Sequence, residues 1–137
     1  LIRPFAPPAI DGRWRPIAAW IAGEVLPVRE LRVALLVLDR GSYQLIDQQA
    51  HVADSGEYRL LAESDPPAID IEGTDGPYAG RRLRAIYDLG GDLLSISYDL
   101  QGGPRPLSSE PEAPTGDPDT EQLLLTITYA RERPLLS

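Results

Sequence analysis

The sequence contains no cysteine, lysine, methionine or asparagine, and only one histidine and one phenylalanine. Without cysteine there can be no disulfide, no thiolate nucleophile and no Cys-based zinc site. With His51 as the sole imidazole, neither a histidine-pair metal site nor a paired-histidine acid–base system can be built. A lone proximal histidine could still ligate haem inside a barrel; the plainer reading is a polar residue near a strand end. Serines are plentiful, but no Gly-x-Ser-x-Gly elbow occurs, so no nucleophile–base pair can be assigned. No catalytic residue and no cofactor are therefore expected, and the chain does not read as an enzyme. No apolar run approaches the roughly 20 residues of a bilayer-spanning helix, so membrane insertion is not expected.

Positive charge is also scarce. The 13 basic residues are all arginine and face 21 carboxylates, for a net charge of −8. That balance argues against nucleic acid as a partner, because phosphate contacts need clustered cations. Replacement of every lysine by arginine reads as the codon bias of a GC-rich genome rather than as a demand for bidentate donors.

What is present is strand patterning. A chain of 137 residues fits one domain, and 42% hydrophobic with 25% charged residues places it in the ordinary globular range. Residues 1–11, with three prolines and no period, read as a linker or strap anchored by Phe5 and Ile10. The domain proper is expected over 12–133.

A bent first strand is predicted over about 12–22, with Pro16 tolerated at an edge or bulge. One short helix is predicted near 28–33, started by Pro27 and favoured by Glu30 in its first turn. Strands then break at Asp39–Gly41 and at Asp54–Gly56, and Ile69 and Ile71 share a face opposite Asp70. In "LRAIYDLGGDLLSISYD", residues 83–99, two alternating runs flank a Gly-Gly-Asp turn. A short strand near Leu107 is expected within an acidic, proline-rich excursion over 107–121. Leu123, Leu125, Ile127 and Tyr129 define one face of a last strand. Eight to nine short strands at roughly 8–12-residue spacing predict an all-β, antiparallel up-and-down barrel.

Two features carry a resemblance. Gly12-Arg13-Trp14 opens the first strand, and Arg131 and Arg133 close the last. This is similar to the calycin arrangement, in which a first-strand Trp plugs one barrel end and a late Arg lies across its indole; Trp14 and Arg131 are the implied pair. Over most of its length the chain also resembles the lipocalin-like domain of uncharacterised planctomycete and other bacterial proteins. The motifs are Pro-x-x-Ile-Asp at 66–70, Gly-Pro-x-x-Gly at 76–80 and Ile-Tyr-x-x-x-Gly-Asp-x-Leu from Ile86, followed by Arg105-Pro106. The resemblance implies a lipocalin-like barrel and no particular activity.

The residues singled out for binding are aromatic. Tyr43, Tyr58, Tyr87, Tyr98 and Tyr129 fall on apolar faces of separate strands and would converge inside a closed barrel, either lining a cavity or tipping a filled core. Trp20 belongs to the same aromatic set. Two functional readings follow: a binding domain holding a small, mostly apolar ligand in the barrel, or an accessory module with a filled core that docks a protein partner. Arg81, Arg82 and Arg84 beside Asp88 read either as a clamp for an anion or as exterior charges guarding a strand. Asp117, Asp119 and Glu121 have the every-second-residue spacing of a partial calcium loop, against the alternative of a solvated acidic stretch.

Overall fold

The computed structural model describes residues 10–77, 79–108 and 123–132. Its strands are β1 (Gly12–Ile21), β2 (Glu24–Val25), β3 (Leu35–Asp39), β4 (Ser42–Ile46), β5 (Val52–Leu61), β6 (Ala68–Asp75), β7 (Arg82–Gly90), β8 (Leu93–Asp99) and β9 (Leu124–Arg131). From β3 to β9 each strand pairs antiparallel with the next. β1 pairs with β3 on one side and β9 on the other, which closes an eight-strand barrel, and β2 is an extra strand hung on β1. This is the all-β up-and-down barrel that the patterning predicts.

The hairpin turns explain the tight meander. Arg40 and Gly41, with φ of 49° and 88°, join β3 to β4. Positive φ at both central residues is what a two-residue turn needs to match strand twist. Gly91, at φ 60°, opens the two-residue turn between β7 and β8.

Three expectations need correction. The predicted helix over 28–33 is a single 3-10 turn, Val28–Glu30. Leu31 is buried against the core and its backbone is extended, so the chain leaves helical geometry to seat that side chain. The predicted turn at Asp54–Gly56 does not exist, because β5 runs unbroken through it. The actual turn is at Asp47–Ala50, where the Asp47 carboxylate accepts from the amides of Gln49 and His51. Gly56 is there for a close approach: a Cβ would meet the Glu72 carbonyl of β6 and the Tyr43 ring. Leu107 is not in a strand and is exposed.

The barrel seam is built around Trp14. Its side chain is fully buried, and its indole N–H donates to the Ile10 carbonyl at 2.9 Å. The Arg131 guanidinium lies 4.3 Å from the indole ring centroid, and its Nη1 donates to the Asp11 carbonyl at 2.7 Å. Its Nε faces Asp92 at 3.4 Å. Gly12 makes room for this: a Cβ there would lie 2.6 Å from Arg131 Nη1, and the backbone is held at φ 146°. Glycine at position 12 thus suits both the backbone conformation and the closeness of the guanidinium.

A bulge between Pro16 and Ala18 changes which face of β1 is inside. Trp14 points into the barrel, but beyond the bulge Ala19 is the buried residue and Trp20 points outward, 37% exposed. Strict alternation would have put both indoles on one face.

Past β8 the chain is fastened twice. Buried Asp99 accepts through one carboxylate oxygen from the amides of Gln101 and Leu123. Arg105 then donates to the Ala85 carbonyl of β7 at 2.9 Å and to Asp70 of β6 at 2.6 Å. Trp14→Ala should cost about 3–5 kcal/mol, and Gly12→Ala about 1–3 kcal/mol through the backbone strain of a side chain at φ 146°. Equilibrium urea unfolding measures both, and wild-type midpoints in the two variants would remove the stack as a structural element.

Candidate functional site

Alternation places Leu36, Leu38, Tyr43, Leu45, Tyr58, Ile69, Ile71, Leu83, Ile96, Tyr98 and Tyr129 around the barrel interior, where they enclose a cavity of about 70 Å³. Small-molecule pockets usually occupy about 300–1,000 Å³, and an engineered cavity that takes up benzene has about 150 Å³. The interior is thus close to filled by its own side chains.

Four of the five predicted tyrosines line this cavity; Tyr87 does not. Tyr87 is partly buried against the core and instead borders the concavity outside the barrel, where its backbone amide bonds the Pro67 carbonyl. Its position past the middle of β7 carries it beyond the cavity, which β7 lines through Leu83 instead.

Asp54 is the interior residue that patterning missed. It is 5% exposed, and the Tyr43 hydroxyl donates to its carboxylate at 3.1 Å. Tyr58 donates to Asp11 at 3.0 Å, and the second oxygen of that carboxylate accepts from the Arg40 amide. Burial pushes the Tyr58 hydroxyl up to about 12; the Gly41 backbone opposes the rise and the Asp11 carboxylate adds to it. Burial, with a smaller contribution from neighbouring Tyr98, pushes Tyr129 further up still.

The larger concavity lies outside the barrel. The outward faces of β7, β8, β9 and the second half of β1 form a groove of about 800 Å³, edged by Asp65, Pro66 and Pro67 on one loop and by Leu107 and Ser108 on another. Its walls include Trp20, Ile86, Leu124 and the exposed Asp88. Along its floor, Ser95 pairs with Thr128 and Ser97 with Thr126, each hydroxyl to hydroxyl at 2.8 Å. These pairs follow from the register, which sets Ser95 opposite Thr128 and Ser97 opposite Thr126.

The remaining candidates fall elsewhere. His51 sits exposed beside the β4–β5 turn and lines neither the cavity nor the groove, so it is not placed to ligate a haem inside the barrel. Arg82 faces Glu72 of β6 at 3.5 Å, and Arg84 stands opposite Asp70, so these are exterior charges away from Asp88 at the other end of β7. Asp117, Asp119, Glu121, Phe5 and Arg133 lie outside the described residues. Among the described residues no cluster of three or more His, Cys, Asp or Glu could hold a metal, and no helix is long and apolar enough to cross a membrane.

Compared with protein-family models, with curated proteins and with solved structures, the chain matches none. The geometry alone therefore bears on function.

The tyrosine environments define an alkaline response. Above pH 10 an unfolded chain releases the Tyr58 proton while the folded protein keeps it until about pH 12. The contribution of this group to stability is therefore complete below pH 10 and is lost as pH rises through 12. Ultraviolet phenolate absorbance of the native protein should show Tyr58 and Tyr129 titrating late, and Tyr58→Phe should remove the step near 12. A native titration in which all tyrosines ionise together near pH 10 would contradict this.

Proposed function

We propose that the protein is a non-enzymatic binding module of the calycin type, with a packed barrel and its recognition surface in the outer groove. The observation that carries this reading is the contrast between an interior of about 70 Å³ and a groove of about 800 Å³ with a half-exposed indole. Exposed aromatic side chains beside aliphatic walls and hydroxyls are the usual composition of a recognition surface. The seating of Arg131 over Trp14 against Gly12 supports kinship with lipocalin-like bacterial domains. The position of His51, outside both concavities, supports a binding rather than a catalytic role. An apolar ligand within the barrel, the other use of such a fold, would have to displace core side chains.

A neutral apolar dye such as Nile red distinguishes the two locations. Trp20→Ala, at an outward position, should leave the melting temperature within a few degrees and weaken dye binding several-fold. Tyr98→Phe should leave dye binding unchanged. The reverse pattern, with binding sensitive to Tyr98 and indifferent to Trp20, would return the ligand to the barrel interior.

A further inference from the structure

We propose that the barrel interior is a hydration site, where about two water molecules are held by the hydroxyls of Tyr129 and Tyr98 and the carboxylate of Asp54. This goes beyond the reading of the outer groove and does not depend on it.

Four phenols belong to the cavity wall. Two are bonded to carboxylates, Tyr43 to Asp54 at 3.1 Å and Tyr58 to Asp11 at 3.0 Å. Tyr129 differs: it is only 4% exposed, and among the described residues no group makes a hydrogen bond with its hydroxyl. A buried phenol is nearly always bonded, because a dry O–H forfeits the bond that it makes in water. The register explains why the protein itself does not supply the partner. Tyr129 stands opposite Leu94 on β8 and Pro16 on β1, both hydrocarbon side chains. The Tyr98 phenol is close enough for its charge to act on Tyr129, so the two tips share one part of the cavity. Burial raises Tyr129 well above the ordinary tyrosine range, which keeps it a proton donor at neutral pH.

The space matches water in size and in chemistry. A water molecule takes up about 30 Å³ in the liquid, and when buried it needs two to four polar partners. A cavity of about 70 Å³ therefore has room for about two, and it is half the size of one that admits benzene. A carboxylate has several acceptor positions, of which the Tyr43 hydroxyl occupies one on Asp54. The rest of the wall, including Leu36, Leu45, Ile71 and Leu83, is aliphatic, so water is held only at these polar tips. Water bound in this way also excludes an apolar guest, which would displace it and leave the tips dry.

The test is oxygen-17 magnetic relaxation dispersion of the whole protein, which counts water molecules that stay inside longer than the protein takes to tumble. The wild type should show such long-lived water. Tyr129→Phe and Tyr98→Phe should each lose part of that signal, whereas Tyr87→Phe, outside the cavity, should lose none. The urea midpoint of Tyr129→Phe should fall, because a bonded hydroxyl is removed. Xenon enters dry apolar cavities. It should leave the methyl resonances of Leu45, Ile71 and Ile96 unmoved in the wild type and shift them in Tyr98→Phe/Tyr129→Phe.

Equal dispersion in the wild type and in both single variants would overturn the proposal. A urea midpoint raised by Tyr129→Phe would overturn it as well, since removing the hydroxyl would then have relieved an unmet bond. Xenon entering the wild type as readily as the double variant would show the cavity to be dry, with the same consequence.

Discussion

A meander of antiparallel strands becomes a barrel only if its first and last strands find each other, and in this chain a ladder from Trp14–Arg131 to Ile21–Leu125 joins them, with one guanidinium lying across its end. Arg131 on β9 reaches across the seam to lie on the indole of Trp14 on β1, and it also holds the Asp11 carbonyl. Ile10 and Asp11 in turn accept from Trp14, Tyr58 and Arg40, so the residues entering β1 are tied to β5 and to the β3–β4 turn across the barrel end. Loss of the stack would strip a fully buried indole of its cation and loosen the end of that ladder, where Arg131 also holds Asp11 and Asp92. Closure also removes the two sheet edges that an open meander would expose.

From that seam the distinction between inside and outside follows, with one exchange. The Pro16–Ala18 bulge lets β1 keep its pairing with β9 while reversing its faces, so one indole seals the barrel and the other joins the outer groove. The same strand thus contributes to structure at one end and to the groove at the other. The groove depends equally on the register of β8 with β9, which stacks hydroxyl pairs on the outer face while Leu94, Ile96, Ile127 and Tyr129 fill the inner one.

Much of this is legible in the sequence because period-2 alternation is directly readable where strands are regular. The hairpin of β7 and β8, the last strand, and the inward tyrosines 43, 58, 98 and 129 follow from alternation alone. Illegible features are those set by non-local contacts. Gly56 has the composition of a turn, yet its role is to admit the β6 backbone and the Tyr43 ring, neither of which is near it in sequence. Asp54 therefore reads as a turn residue although it is a buried acceptor. Alternation groups Trp20 with the inward aromatics, because a bulge inverts parity without a signal beyond Pro16. The groove is hidden for a different reason: Ser95, Ser97, Thr126 and Thr128 look like an ordinary solvated face until two loops rise beside them. Tyr87 shows the limit of alternation, which gives the face of a residue but not its height along the barrel.

The fastening after β8 has an implication for how this scaffold can change. Asp99 holds the amides of Gln101 and Leu123 together, and Arg105 pins the outgoing chain to β6 and β7. Both feet of the excursion are thereby anchored by the barrel itself. Lengthening a connection whose ends are already held costs little, about 0.6 kcal/mol for each doubling. In loop-closure entropy, then, the length of the connection weighs little beside the anchors at its two ends.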